Sequence, residues 1–160
     1  MVRANPSVDY VADRLQLRSI YVKSQPKHRL GVIRQRLAQP EIGATKLVTA
    51  VSAVEAFARS LVTHTVLNAE SDIERVYSSV RNRTPEYLVQ DLLDIFKKGD
   101  AAAYFQEDTW PLFREAVNFR NQIVHECTYL GQDKYPSLIA AALEVLEALV
   151  LIGALNDRQT

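Results

Sequence analysis

The residues best placed to do chemistry lie close together: Arg120, Asn121 and His125, in the string Asn118-Phe119-Arg120-Asn121-Gln122-Ile123-Val124-His125-Glu126. An imidazole with its ordinary pKa near about 6.5 can give and take protons at neutral pH. A guanidinium offers a planar fork of donors to an anion. On a helix turning about 100° per residue, Arg120 and His125 lie roughly 140° apart, whereas Asn121 and His125 share a face. Two arrangements answer that separation: Arg120 extends along the helix surface to reach a cleft, or two copies of the string meet across a two-fold axis. A purely structural reading also stands, in which Arg120 ties the fold together through Glu55 or a helix end and His125 is an ordinary polar residue near a helix terminus.

Little else in the chain competes. His28, His64 and His125 have no metal-ligand spacing, and no glycine-rich phosphate loop is present, so neither metal nor cofactor is expected. The single cysteine, Cys127, forms no intramolecular disulfide and suggests a reducing compartment. Asp91 and Asp94 resemble a solvated face, and Glu55 and Arg59 are spaced to pair on one helix.

The string around Arg120 and His125 resembles the ribonuclease motif of the HEPN superfamily: Arg followed by a polar residue, often Asn, with four to six residues before a His, on the later of two long helices. The stretch Ala53-Val54-Glu55-Ala56-Phe57-Ala58-Arg59 is similar to the glutamate-bearing earlier helix of many HEPN families. The resemblance spans roughly residues 41–155. It implies metal-independent RNA cleavage by a homodimer, in a toxin or defence effector. His125 would deprotonate the 2′-hydroxyl or protonate the leaving oxygen, and Arg120 would stabilise the phosphorane. Asn121 would position His125 or a phosphate oxygen, and Glu55 would support Arg120. The products would be a 2′,3′-cyclic phosphate and a 5′-hydroxyl. A non-catalytic HEPN module binding RNA, a nucleotide or a protein is the alternative. Toxins silenced by a nucleotidyltransferase carry a Tyr two residues after the motif His. Here that residue is Cys127, with Tyr129 four residues on, so an antitoxin or nucleotidyltransferase partner is left open rather than implied.

The elements that must position these residues read as helices. The chain has 160 residues, 48% hydrophobic and 24% charged, which fits one globular domain with a core of its own. Lys plus Arg and Asp plus Glu are 19 each, so no global field draws the protein onto a polyanion. Between Arg14 and Pro40, however, there is no acidic residue, and Arg29, Arg34 and Arg36 are candidates for an RNA-binding rim, against the simpler reading of a solvated helix face. Met1–Pro6 lacks the apolar run of a signal peptide, and the longest apolar run, Ala148–Leu155, is too short to span a bilayer. A cytoplasmic protein without membrane contact is therefore expected.

The periodicity predicts helices over 7–23, capped by Ser7 or Asp9 with Leu15, Ile20 and Val22 as a stripe, and over 27–39 after the break at Ser24-Gln25-Pro26. A long core helix is predicted over 41–67, with Leu47, Val51, Val54, Ala58, Leu61, Val62 and Thr65 inward. A shorter one covers 71–80. Thr84-Pro85 starts a further helix that carries Leu88, Leu92 (or Leu93) and Phe96 inward and stops at Lys97-Lys98-Gly99. Asp108 starts the motif helix, with Phe113, Val117, Val124 and Cys127 on its apolar face, fraying near Tyr129-Leu130-Gly131. The last helix is expected over 134–155, with Glu144 and Glu147 outward. The predicted fold is all-α, an up-and-down HEPN-like bundle of four principal helices plus short extra ones. Its parts are a basic helical segment over 1–40, the bundle over 41–155 and a tail over 156–160.

Overall fold

The computed structural model describes residues 1–67, 71–129 and 131–154. The described residues form a helical bundle without strands: α1 (Tyr10–Lys23), α2 (Pro26–Leu37), α3 (Gly43–Val66), α4 (Ile73–Val80), α5 (Pro85–Ile95), α6 (Ala101–Tyr104), α7 (Thr109–Glu126) and α8 (Tyr135–Ile152), with a 3-10 turn at Gln132–Lys134. The tail over 156–160 and the predicted end of the last helix at Leu155 lie outside the described residues. The four-residue α6 was not legible in the sequence.

α3 is the hub, with α2, α4, α5, α7 and α8 packed on it, and α7 and α8 pack on each other. It earns that place by being apolar on most of its circumference: Leu47, Val51, Val54, Phe57, Ala58, Leu61 and Val62 are all buried. Thr65, expected inward, is exposed, and its hydroxyl donates to the Leu61 carbonyl at 2.6 Å. Leu88, Val89, Leu92 and Leu93 bury one side of α5, and Leu138, Ala142, Val145, Leu149 and Ile152 form the buried stripe of α8. By length and composition the segment Gln132–Ile152 would also pass as a membrane span, with a mean hydropathy of 1.8; half of that window is buried within the bundle.

The first forty residues divide in two. α2 inserts Leu30 and Ile33 into the common core. α1 packs on α4 and buries only Val22. Leu15 and Ile20, expected in its stripe, are exposed: Ile20, two residues from Val22, lies off the face that Val22 buries, and Leu15 shares that face but lies two turns nearer the start of the helix. The end of α1 is instead held by side chains: the Tyr21 and Tyr77 rings meet edge to face at 6.2 Å, and Arg18 reaches Glu74 at 3.5 Å.

Several helix ends depart from expectation. Asp9 caps α1 through the Ala12 N–H, and Asp72 caps α4 through the Glu74 N–H, both at 3.0 Å, but the side chains of Thr84 and Asp108 make no capping bond. α5 ends at Ile95 rather than at Gly99. The Lys98 N–H bonds back to the Leu93 carbonyl at 2.7 Å and Lys97 takes the left-handed conformation at φ 56°. This is the closure usually given to glycine, and it comes two residues before the glycine.

The motif helix α7 buries Trp110, Phe113, Ala116 and Val117. Val124 and Cys127, expected on its apolar face, are exposed. The inward stripe runs instead through Phe113, Val117 (beside Ala116), Arg120 and Ile123, three or four residues apart, so Arg120 occupies a core-facing position and Val124 is rotated off it. The helix stops at Cys127, which adopts a left-handed conformation at φ 51°.

Candidate active site

A polar cluster joins α3 to α7. Nη2 of Arg120 donates to Glu55 at 2.8 Å, Nη1 donates to the Ser52 hydroxyl at 3.3 Å, and Nε donates to the Asn121 side-chain oxygen at 2.9 Å. The other Glu55 oxygen accepts from Arg59, one turn along α3, at 2.6 Å. Arg120 and Glu55 are mostly shielded, with side chains 14% and 23% exposed, which makes their pairing stronger than that of a surface pair. Burial by itself pushes the Glu55 carboxyl up. The hydrogen bonds and charges of Arg120 and Arg59 outweigh it and hold the group below the usual carboxylate range. Two guanidiniums against one carboxylate leave the cluster with a net positive charge.

The cluster sets the geometry of the surface above it. Arginine Nε–H can only donate, so Asn121 must turn its oxygen toward Arg120 and its amide nitrogen away. His125, one turn further on the same face, is exposed and enters no hydrogen bond or ion pair among the described residues. Of the residues singled out from sequence, the structure thus brings together Glu55, Arg120 and Asn121 and leaves His125 beside them at the surface. Glu55 serves Arg120 and Arg59 at once. Ser52 was missed; its place one turn before Glu55 on α3 was the available signal.

The three N-terminal arginines are elsewhere and engaged. Arg34 forms a two-pronged pair with Glu147 of α8, at 2.7 and 3.1 Å. Arg36 pairs with Glu41. Arg29 lies over the Tyr21 ring at 3.5 Å and donates to the Tyr21 carbonyl at 3.4 Å. A cleft of about 310 Å³ between α2 and α3 carries Arg29 and Arg36 at its edge and Ser52 among its lining residues. Among the described residues no group of His, Cys, Asp and Glu is arranged to hold a metal ion.

A second concavity, about 500 Å³, lies between α5 and α7. Tyr87 and Glu86 line its α5 side, and Trp110, Arg114, Asn118 and Asn121 line its α7 side. Asn121 therefore touches both the polar cluster and this groove. Of the groove residues only Asn121 was a candidate site residue from sequence, because nothing in the chain announces that α5 borders the motif helix. With this geometry in view, comparison with known proteins adds nothing further: no family model, no curated protein and no solved structure matches the chain.

Proposed function

We propose that this chain is a metal-independent endoribonuclease of the HEPN type, acting as a homodimer, with His125 as the proton-transferring group. The observation that carries the reading is the pairing of an exposed, unbonded His125 with an Asn121 fixed in orientation by Arg120, over a cluster of net positive charge. That is the combination a phosphodiester at a 2′-hydroxyl needs: a proton carrier, a neutral donor and a favourable field for the developing dianionic phosphorane.

In the proposed reaction His125 removes the 2′-hydroxyl proton, the 2′-oxygen bonds to phosphorus, and the bond to the 5′-oxygen breaks. That oxygen receives a proton from His125 of the partner subunit. The Asn121 amide donates to a non-bridging oxygen. Arg120 acts as a positioning residue: three of its five N–H groups donate to Asn121, Ser52 and Glu55, and its side chain is only 14% exposed. This revises the direct phosphorane contact implied by the family resemblance, and it removes the need for Arg120 to reach across the helix. The compartment we propose is the reducing cytoplasm, consistent with a lone, exposed thiol at Cys127. A role as a toxin or defence effector, with or without a silencing partner, belongs to the same proposal.

The test is incubation of the purified protein with mixed RNA in EDTA. The expected result is cleavage leaving cyclic phosphate ends, reduced at least ~100-fold by His125→Ala with an unchanged melting temperature. Equal cleavage by the His125→Ala protein would refute the assignment. Intact RNA with the wild type would favour a non-catalytic module that binds RNA, a nucleotide or a protein. One observation already favours that second reading: Arg120 directs three hydrogen bonds into the fold, as it would if its purpose were only to join α3 and α7.

A further inference from the structure

On one face of α7, Arg114, Asn118, Asn121 and His125 follow one another at intervals of four, three and four residues. At about 100° per residue these positions stay within roughly 60° of one another, and at about 1.5 Å per residue they span about 16 Å. The first three line the groove between α5 and α7, and His125 stands one turn beyond its end. The groove therefore leads to the proton-transferring group.

Its opposite wall supplies an aromatic surface. Tyr87 is 62% exposed, so much of its ring is available to a further contact. The guanidinium of Arg83 backs the ring at 5.4 Å, and Arg83 is itself held by Asp91 in two hydrogen bonds of 2.6 and 2.8 Å. The ring is thus braced on one side and open on the other. Across from it, Arg114 is exposed and enters no ion pair among the described residues. Glu86 contributes the acceptor and Asn118 a side chain with both an acceptor and donors.

We infer that this groove is the path of a single-stranded RNA beside the scissile bond. One unstacked base lies against Tyr87, Arg114 holds a backbone phosphate, and Glu86 and Asn118 meet the base edge. The inference rests on the nuclease reading for its direction, toward His125, but not for its existence. Stacking on an aromatic ring combined with a nearby cation is how single strands are held without duplex geometry. In a duplex the bases are already stacked on each other and have no face to offer Tyr87. Glu86 repels a phosphate placed near it, so the strand must set its backbone on the Arg114 side and its bases on the α5 side. A carboxylate at the base edge accepts from an exocyclic amino group, which favours bases that carry one.

The experiment uses a fluorescein-labelled oligoribonucleotide fully substituted with 2′-O-methyl groups, which block the attacking oxygen, and reads binding by anisotropy. Tyr87→Ala is expected to raise Kd about tenfold and Tyr87→Phe to leave it near wild type. Arg114→Ala is expected to weaken binding and to reduce the slope of log Kd against log salt by about 0.7. A duplex of the same sequence should compete poorly. Both positions are at the surface, and thermal melts of each variant confirm folding. Unchanged Kd in both alanine variants, equal competition by duplex, or no binding of the oligomer by the wild type would each overturn the inference. The two readings fail separately. Binding lost in the variants, with no cleavage of natural RNA by the wild type, keeps the groove and discards the nuclease. Cleavage by the wild type, with Kd and KM unchanged in Tyr87→Ala, keeps the nuclease and discards the groove.

Discussion

Glu55 is the residue on which the polar cluster depends. Removing it leaves Arg120 and Arg59 facing each other in a mostly shielded place. Breaking a buried pair by deleting one partner costs about 3–5 kcal/mol, and the part of Glu55 still in contact with water reduces that to about 2 kcal/mol. Glu55→Ala is therefore expected to lower the denaturant midpoint by the corresponding amount, and Arg59→Ala by less, since Glu55 keeps its bond to Arg120. The sign of the pH dependence follows from the direction of the Glu55 shift. A carboxyl held below its unfolded value contributes stability that is present above that unfolded value, about 4.3, and is lost as pH falls through the lower folded one. Denaturant titrations of wild type and Glu55→Gln should converge below that window and separate above it; parallel curves would remove Glu55 from the acid sensitivity. Much of this was legible: the Arg120, Asn121 and His125 string could be read directly, and the Glu55–Arg59 pair followed from helical spacing. Ser52 was missed although it lies one turn before Glu55, and Tyr87 and Arg114 could not be read, because their meaning depends on which helices become neighbours.

At the scale of elements, the sequence marked helices well and their ends less well. The cores of α3, α5 and α8 followed from apolar spacing. The errors came where a local signal lost to packing. Gly99 looked like the stop of α5, yet the chain turns left-handed at Lys97. A non-glycine residue there bears a strain of about 1 kcal/mol, so Lys97→Gly is expected to stabilise the protein by up to about that amount in a thermal melt. The opposite case is Gly131, at φ 84°, where an added Cβ would lie 2.8 Å from the Phe119 ring. Phe119 stands next to Arg120, so Gly131→Ala is expected to lower the melting temperature and to disturb the motif helix together. A drop in stability with RNA cleavage unaffected would separate that loop from the site. For α7 itself, Val124 was misjudged because the inward stripe passes through Arg120, and an arginine gives no apolar signal in a sequence pattern.

For the whole molecule, the balanced charge of the sequence has a structural counterpart. Arg34 and Arg36 are met by Glu147 and Glu41, and Arg29 is stacked on Tyr21, so these three arginines tie α2 to α8, to the segment that follows α2 and to α1. The Arg34–Glu147 pair is about half exposed on both sides, and Arg34→Ala is expected to cost no more than about 1 kcal/mol. α2 is held chiefly by Leu30 and Ile33. Truncating either should be far more damaging, by about 2–4 kcal/mol for a change to Ala. If residues such as Arg29 and Arg36 also touched RNA, their replacement would change the salt dependence of binding, and we expect it to remain as in wild type while the Arg114→Ala slope falls. The homodimer of the proposed function predicts a particle of twice the 18.1 kDa chain mass in sedimentation.

The chain offers an unusually convenient vantage on that assembly. Its one thiol, Cys127, is exposed and sits two residues beyond His125 in the left-handed turn that ends α7. A nitroxide attached there is a reporter at the edge of the site, introduced without any substitution. In a dimer whose two motifs face each other across the symmetry axis, the two labels form a single spin pair at short range, and dipolar spectroscopy reads their separation as one narrow distribution. A dimer joined through α1 instead places the labels far apart, and a monomer gives no dipolar signal.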